Sequence, residues 1–308
     1  MLNGFESEWK DVLSGVPQGS ILGPLLFKIY VDDIDDNVTN KVLKFADDLK
    51  MMCLVNSDIE LKTALNDLKE IIDWAERWGM ELNIPKCRVM HYGKRNINQV
   101  YVIDSVNMES TTLEKDLGVL FSNNFKKYEQ CCAVAKKCNQ VMGLINRTIE
   151  FKNDFVMLQL YKSLVRHHMD YCVQVWRPHL QKDIALLESI QRRYTKRIVS
   201  CKNLPYDDRL KHLGLMTVND RMMRADLIEI YKILHAIDDL DFNYYFDLNR
   251  SVTRGNDFKL FKKRKNKNIG LFSFSARAID CWNKLPNFVV QAESLNVFKR
   301  RLQEIWYK

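Results

Sequence analysis

Apolar and polar positions along the chain fall into two regimes. From residue 125 to 235 the apolar residues recur at three- and four-residue intervals, stretch after stretch, whereas residues 1–110 mix short strand-like runs with single helical patterns. The clearest helical pattern lies at 58–78, where Leu61, Leu65, Leu68, Ile72 and Ala75 form one apolar stripe. Ser57 and Glu60 make a capping box in front of it, and Gly79 suits its C-terminal cap. Strands are predicted on both sides, at 42–45 and 50–55 before it and at 88–92, 101–103 and 118–121 after it. Further helices are predicted over 127–149, 155–169, 183–200, 218–236 and 295–306, the last carrying Leu295, Phe298, Leu302 and Trp306 on one face. No internal repeat is present. The expectation is an α+β chain whose architecture changes near 110–125, divided at 1–110, 111–200 and 201–308.

Length and composition narrow the class. The 308 residues allow roughly two domains at about 150 residues each, and 46% hydrophobic with 28% charged residues is globular rather than disordered. No apolar run approaches the about 20 residues that span a bilayer, and the acids of the first eleven residues do not suit a signal peptide, so an intracellular chain, in cytoplasm or nucleus, is expected. The eight cysteines follow no repeating frame, which points to reduced thiols and away from a disulfide scaffold or a zinc site. Net charge is +8 and unevenly spread: residues 250–267 hold eight basic side chains, among them Lys262, Lys263, Arg264 and Lys265, against Asp257 alone. Clustered cations of this kind suit a polyanionic partner, and equally a solvated loop.

Chemistry concentrates in two places. Phe45-Ala46-Asp47-Asp48 puts two adjacent carboxylates between apolar, β-forming runs, the pattern of a tight hairpin with acids at its turn. Such carboxylates are hard oxygen donors of the type Mg²⁺ takes, although an Asp-Asp turn by itself is more often merely solvated. The second place is SGVPQGSILGPLLF at residues 14–27, followed by Tyr30 and Asp33: a Gly/Pro-punctuated loop entering an apolar helix, in which glycines let backbone approach a substrate closely and Gln18 can hydrogen-bond a base or sugar edge.

Together these two motifs resemble the palm of the reverse transcriptases of non-LTR retrotransposons, of the jockey-like, LINE type. The resemblance continues along nearly the whole chain. Trp74, Trp78, Gly79, Met80, Leu82, Asn83, Lys86 and Cys87 are similar to the family's next palm motif, and Asp116-Leu117-Gly118-Val119 to its primer-grip segment. Arg166, Asp170-Tyr171-Cys172, Val175-Trp176, Glu188 and Ile190-Gln191-Arg192-Arg193 resemble its thumb, and Leu213-Gly214-Leu215, Ala276-Arg277 and Trp282-Asn283 its C-terminal segment. The resemblance implies an incomplete right-hand palm with a small antiparallel sheet, a helical thumb and a basic, mostly helical C-terminal region. It implies RNA-directed DNA polymerisation with two Mg²⁺ ions, deoxynucleoside triphosphates, an RNA template and a DNA primer. Asp47 would be a metal ligand and Asp48 an auxiliary one; Gln18, Gly19 and Phe45 would line the nucleotide and template side; Lys86 would donate a proton to pyrophosphate.

One departure accompanies the match. The family takes its metal-bridging aspartate from a strand upstream of the Gly/Pro loop, yet thirteen residues precede Ser14, and Glu6, Glu8 and Asp11 lack an apolar strand context. The chain is therefore expected to be N-terminally truncated and inactive alone. Two other readings stay open: a non-catalytic nucleic-acid-binding remnant, and an interaction module built on the helices of 125–235. Among the remaining residues, Arg192, Arg193, Lys196 and Arg197 form a basic run suited to a phosphate backbone. Trp176, Trp282 and Trp306 read as core or interface anchors. His167 and His168 are adjacent on a helix and are expected to point apart.

Overall fold

The computed structural model describes residues 11, 15–16, 19–150, 152–249 and 255–306. The chain divides into two compact units, residues 1–112 and 113–308.

In the first unit, α1 (Gly23–Tyr30) precedes a hairpin of β1 (Lys41–Phe45) and β2 (Asp48–Met52), and α2 (Asp58–Arg77) follows it. A 3-10 turn at Ile84–Lys86 then leads to β3 (Arg88–Met90), β4 (Val102–Ile103), β5 (Val106–Asn107) and β6 (Glu109–Thr111). The Ser57 side chain accepts from the Glu60 N–H at 3.3 Å as the capping box requires, while the Glu60 carboxylate reaches one residue further back, to the Asn56 N–H at 2.7 Å. The buried face of α2 is not the predicted leucine stripe. It runs through Ala64, Asp67, Ile71, Trp74 and Ala75, and Leu65 is exposed. Asp67 causes the rotation: its carboxylate accepts from the backbone N–H groups of Thr39 at 3.0 Å and Asn40 at 2.8 Å and from the Asn40 amide at 2.7 Å, so it draws the chain entering β1 onto this face. Val42 and Met51, directly opposed across the hairpin, then pack on Ile34, Ile71, Trp74 and Ala75. Burying a side chain such as Ile71 contributes about 1.5–3 kcal/mol.

The second unit begins with the hairpin β7 (Leu113–Asp116) and β8 (Val119–Ser122). Three helices follow, α3 (Tyr128–Thr148), α4 (Asp154–Leu160) and α5 (Arg166–Asp170), the last two joined by a π-helical turn at Tyr161–Val165. Next come α6 (Val173–Trp176), α7 (Gln181–Thr195), α8 (Tyr206–Leu213) and α9 (Val218–Leu234). Six shorter or terminal helices complete it: α10 (Phe242–Tyr245), α11 (Asn268–Leu271), α12 (Phe274–Arg277), α13 (Ile279–Asn283), α14 (Asn287–Val290) and α15 (Leu295–Trp306). Helix α9 serves two cores. Val218 and Met222 join the core of α3 to α8, while Leu227, Ile230, Tyr231 and Ile233 join the core that Trp282, Val289 and Phe298 build. Between those two sets on α9 sits Asp226, fully buried. Its carboxylate accepts from Arg177 Nη1 at 2.8 Å and from Arg277 Nε and Nη2 at 2.8 and 2.7 Å, so residues from three elements converge on one anion.

Several sequence expectations are corrected here. Among the described residues the strands do not merge into one small antiparallel sheet; they form four two-stranded pairs, of which β3–β6 is parallel. Strands of two to five residues give isolated ribbons that depend on side-chain packing for stability. The helix predicted at 155–169 is interrupted by the π turn, which places the Tyr161 hydroxyl 2.5 Å from Gln191 Oε1 in the core. Helix α8, absent from the sequence reading, is closed by Gly214 at φ +59°, and the Leu215 N–H donates to Leu210 O at 2.8 Å in a Schellman bond. The rings of His167 and His168 do not point apart: their centroids lie 3.9 Å from each other. Trp176 and Trp282 are fully buried.

Replacing Asp226 by Ala strips two guanidiniums of their carboxylate, and urea unfolding is expected to lose about 3–5 kcal/mol with an unchanged slope. For Asp67, burial raises the carboxyl pKa, but the hydrogen bonds from Thr39 and Asn40 outweigh it and hold it below the ordinary value. This depressed pKa contributes stability that is present above the unfolded-state pKa of about 4 and is lost as pH falls through the lower folded-state value. In Asp67→Asn the amide exchange of residues 39–52 is expected to accelerate at pH 7, and the acid-induced loosening of the hairpin to lose its Asp67-dependent part.

Candidate nucleotidyl-transfer site and nucleic-acid surface

Phe45 and Asp48 are cross-strand partners, so β1 and β2 are joined by a loop of two residues, Ala46 and Asp47. Ala46 has φ +50°, a left-handed conformation costing an alanine roughly 1–2 kcal/mol, and it gives the turn the hand that hairpin twist favours. The result is a tip that presents Asp47 and Asp48 side by side, both exposed. Alternation places Phe45 and Asp48 on the ribbon face opposite Val42 and Met51. Phe45 is 63% exposed there, an uncovered aromatic next to two carboxylates. On the other face Lys44 braces the ribbon, its Nζ 2.5 Å from the Asp35 carboxylate and 2.6 Å from Asp32 O.

Lys86 is exposed at the end of the 3-10 turn, four residues beyond Leu82, which shares the ribbon's core. Gly19 is exposed at φ +85° with open space where a Cβ would stand. Gln18, Glu6 and Glu8 lie outside the described residues, and Asp11 is exposed. Asp33 accepts from the Trp74 indole at 3.1 Å, and Tyr30, Trp74 and Trp78 meet ring to ring. Among the described residues no group of three or more His, Cys, Asp or Glu side chains is placed to hold a metal ion.

In the second unit, the Asp116-Leu117-Gly118-Val119 segment forms the two-residue turn between β7 and β8, with φ +43° at Leu117 and +85° at Gly118. Gly118 is required twice. Its backbone is left-handed, and a Cβ would stand 3.2 Å from the Tyr171 ring, whose hydroxyl donates to Leu117 O at 2.8 Å. Arg192, Arg193, Lys196 and Arg197 are exposed along the end of α7 and just beyond it. Part of this run is engaged internally: Arg193 donates to Asn139 Oδ1 at 2.9 Å, and Arg192 stacks over the Tyr206 ring at 4.5 Å. Lys262 pairs with Asp280, and Lys263 lies 2.5 Å from Asp247; these exposed ion pairs are weak and open to exchange with phosphate. Arg264 and Lys265 are exposed, and Arg250 and Arg254 fall outside the described residues.

Sequence reasoning missed two polar clusters. Glu188 and Gln191 on α7 form a network in which the Gln191 amide donates to Tyr206 Oη at 2.9 Å and Met216 O at 2.8 Å, the Tyr206 hydroxyl donates to Glu188, and Glu188 accepts from the Val218 N–H at 2.8 Å. The motif Glu188…Gln191 is thus explained by packing. The second cluster joins Ser200, His212 and Asp154, a trio with the composition of a hydrolytic triad. Its geometry is wrong for one: the Ser200 hydroxyl is 2.6 Å from the carboxylate, and His212 Nε2 faces both Asp154 at 2.8 Å and Ser200 at 3.2 Å, so no base stands between nucleophile and acid.

The ribbon lies within the part of the chain that a known family matches. Residues 1–144 match the family described as reverse transcriptase (RNA-dependent DNA polymerase). Among curated proteins, the probable RNA-directed DNA polymerase from transposon X-element of Drosophila melanogaster is 26% identical over 226 residues, 69% of this chain and 25% of that protein. The RNA-directed DNA polymerase from mobile element jockey of Drosophila funebris is 25% identical over 208 residues, 62% of this chain and 23% of that protein. The probable RNA-directed DNA polymerase from transposon BS of Drosophila melanogaster is 22% identical over 227 residues, 68% of this chain and 25% of that protein. The chain thus spans about a quarter of the length of these relatives. No solved structure matches it. Residues 1–144, which include the exposed Asp-Asp hairpin tip, are thus similar to reverse transcriptases, and the chain as a whole is similar to the RNA-directed DNA polymerases of jockey-type, non-LTR transposons.

Proposed function

We propose that this chain contributes the acidic hairpin of an RNA-directed DNA polymerase. Residues 1–110 would act as part of its palm, 111–200 as primer grip and helical thumb, and 201–308 as a basic C-terminal region. The observation that carries the reading is a tight hairpin that exposes Asp47 in its two-residue turn and Asp48 at the start of β2, on a ribbon anchored from behind by Asp67, Val42 and Met51. A polymerase needs hard oxygen donors fixed to within a fraction of an ångström, and a short hairpin pinned to a helix supplies that rigidity.

The donor type fits magnesium. Asp47 would hold the ion and Asp48 would act as auxiliary ligand or electrostatic partner, while Phe45, Gly19 and Gln18 line the nucleotide and template side. Bound magnesium would supply charge stabilisation to nucleotidyl transfer. Lys86 would hold the proton that the departing pyrophosphate takes. Template RNA, primer DNA and deoxynucleoside triphosphates are the corresponding partners, met in the cytoplasm or nucleus. Two carboxylates on one turn fall short of a two-ion site, which needs a further carboxylate from a neighbouring strand.

The non-catalytic reading draws on one specific observation. The exposed cations at 192–197 and 262–265 lie beyond the family-matched residues 1–144, so a nucleic-acid-binding role for them would not depend on the hairpin.

Two linked assays test the catalytic reading. The chain alone, with Mg²⁺ or Mn²⁺, is expected to extend no primer. A jockey-element polymerase in which residues 14–144 of this chain replace the matching segment is expected to extend one, and to lose extension by at least about a thousandfold on Asp47→Ala. A chimera that folds and extends equally well with Ala at 47 would contradict the assignment. Extension by the chain alone, lost on Asp47→Ala, would contradict the need for an outside carboxylate.

A further inference from the structure

The second unit contains a cavity of about 710 Å³ bounded by the 124–127 loop, α7, α9 and the 268–277 segment, a size usual for a small-molecule or nucleobase site. Its lining is mainly apolar, with one anomaly. Asp183, in the first turn of α7, is 2% exposed and lines the cavity, and its Oδ1 has no hydrogen-bond partner. The start of a helix tolerates a carboxylate, because the macrodipole is positive there. That field leaves the lone pairs of Oδ1 unmet, and a buried carboxylate oxygen without a donor is costly. The walls supply the other half of a recognition site. His179 and Phe272 stack face to face, centroids 4.0 Å apart and planes 9° apart, and Phe272, which is exposed, is among the residues that line the cavity. Burial lowers the His179 pKa, with Asp183 opposing and Lys127 reinforcing, which favours the uncharged ring. Lys127 is half-buried in the same lining, its ammonium 6.0 Å above the Phe121 ring, beside the exposed Lys126. The chain also runs directly from the basic residues 262–267 into α11, whose Asn268 and Ile269 line the cavity.

An unmet acceptor at depth, a flat aromatic face and cations at the rim are complementary to one chemical object: a planar ring bearing an amino group and attached to phosphate. We propose that this cavity receives an unpaired, amino-bearing nucleobase of a single strand, the ring stacking on the Phe272–His179 pair, the amino group donating to the Asp183 carboxylate once a side-chain rotation turns the sealed Oδ1 toward the cavity, and the flanking phosphates meeting Lys126 and Lys127. Stacking on an aromatic face is tolerant of base identity, so the carboxylate provides the selectivity. Uracil flanks its one ring N–H with two carbonyls that a carboxylate repels, whereas adenine, guanine and cytosine offer an exocyclic amino group. The proposal rests on the reading of the chain as a nucleic-acid binder, and extends it from a charged surface to a specific pocket.

The test uses the full chain and a 12-mer oligouridylate with either 2-aminopurine or unsubstituted purine at its centre. Binding of the 2-aminopurine strand is expected to quench its fluorescence, and this strand is expected to bind about tenfold tighter than the purine strand. Phe272→Ala should abolish the quench. Asp183→Leu should erase the tenfold preference while leaving the melting temperature unchanged or higher, since it removes an unpartnered buried charge; a purely structural Asp183 would instead lower it. Salt-dependent binding of both strands without quenching, or a preference that survives Asp183→Leu, would overturn the pocket while leaving the nucleic-acid reading intact. Absence of salt-dependent binding to either strand would overturn both.

Discussion

The second unit depends on a single buried anion. Two helical cores share α9, and Asp226 stands at the point on that helix where one core ends and the other begins. Arg177 reaches it from the end of α6 and Arg277 from α12, separated from it in sequence by 49 and 51 residues. Each guanidinium also has a second partner, Arg177 the Asn219 amide at 3.2 Å and Arg277 the Gln174 carbonyl at 2.8 Å. The desolvated charges are thereby hydrogen-bonded as well as paired, the condition under which a buried ion group is tolerated. The same arrangement sets the walls of the cavity, because Arg177 and Arg277 both line it and fix α6 and α12 on either side. An apolar replacement of all three could be equally stable; what the charged form adds is one defined docking of these segments on α9.

The first unit uses the same device on a smaller scale. Asp67 is a buried carboxylate on a helix, and it receives backbone N–H groups of the chain just before β1 instead of guanidiniums. The consequence reaches the acidic tip. With Thr39 and Asn40 held, Val42 and Met51 face the helix, and alternation turns Phe45 and Asp48 outward. A two-residue turn with a left-handed alanine then leaves Asp47 little freedom. The strained residue, Ala46, thus directly precedes the proposed metal ligand Asp47, a pattern that strain at functional sites commonly follows.

How much of this was readable from the sequence varies by the range of the interaction. The hairpin was readable because strand-forming runs bracket Asp47-Asp48, and the ends of α2 because Ser57, Glu60 and Gly79 act locally. The buried face of α2 was not. Leu61, Leu65, Leu68 and Ile72 make the better stripe, and only the contact of Asp67 with residues 27 and 28 positions earlier turns the helix to a different face. The π turn at Tyr161–Val165 escaped because one wider turn hardly changes an apolar period. Helix α8 has eight residues and too few apolar positions for a stripe, although Gly214 followed by Leu215 marked its end. Asp226 and Asp183 are both acids on predicted helices, and nothing local separates them from solvated ones. The family resemblance pointed to Arg277 and Glu188 without saying that they act in packing.

The account turns on whether Asp47 and Asp48 bind a divalent cation as the tip of a pinned ribbon. Titrating Mn²⁺ into the isotopically labelled chain and following paramagnetic broadening of its amide resonances reads this without any requirement for catalysis. The account predicts broadening that centres on residues 46–49, weak in affinity, competed by Mg²⁺ and lost in Asp47→Ala while the resonances of α2 stay in place. Broadening centred elsewhere, or unchanged by Asp47→Ala, would contradict it.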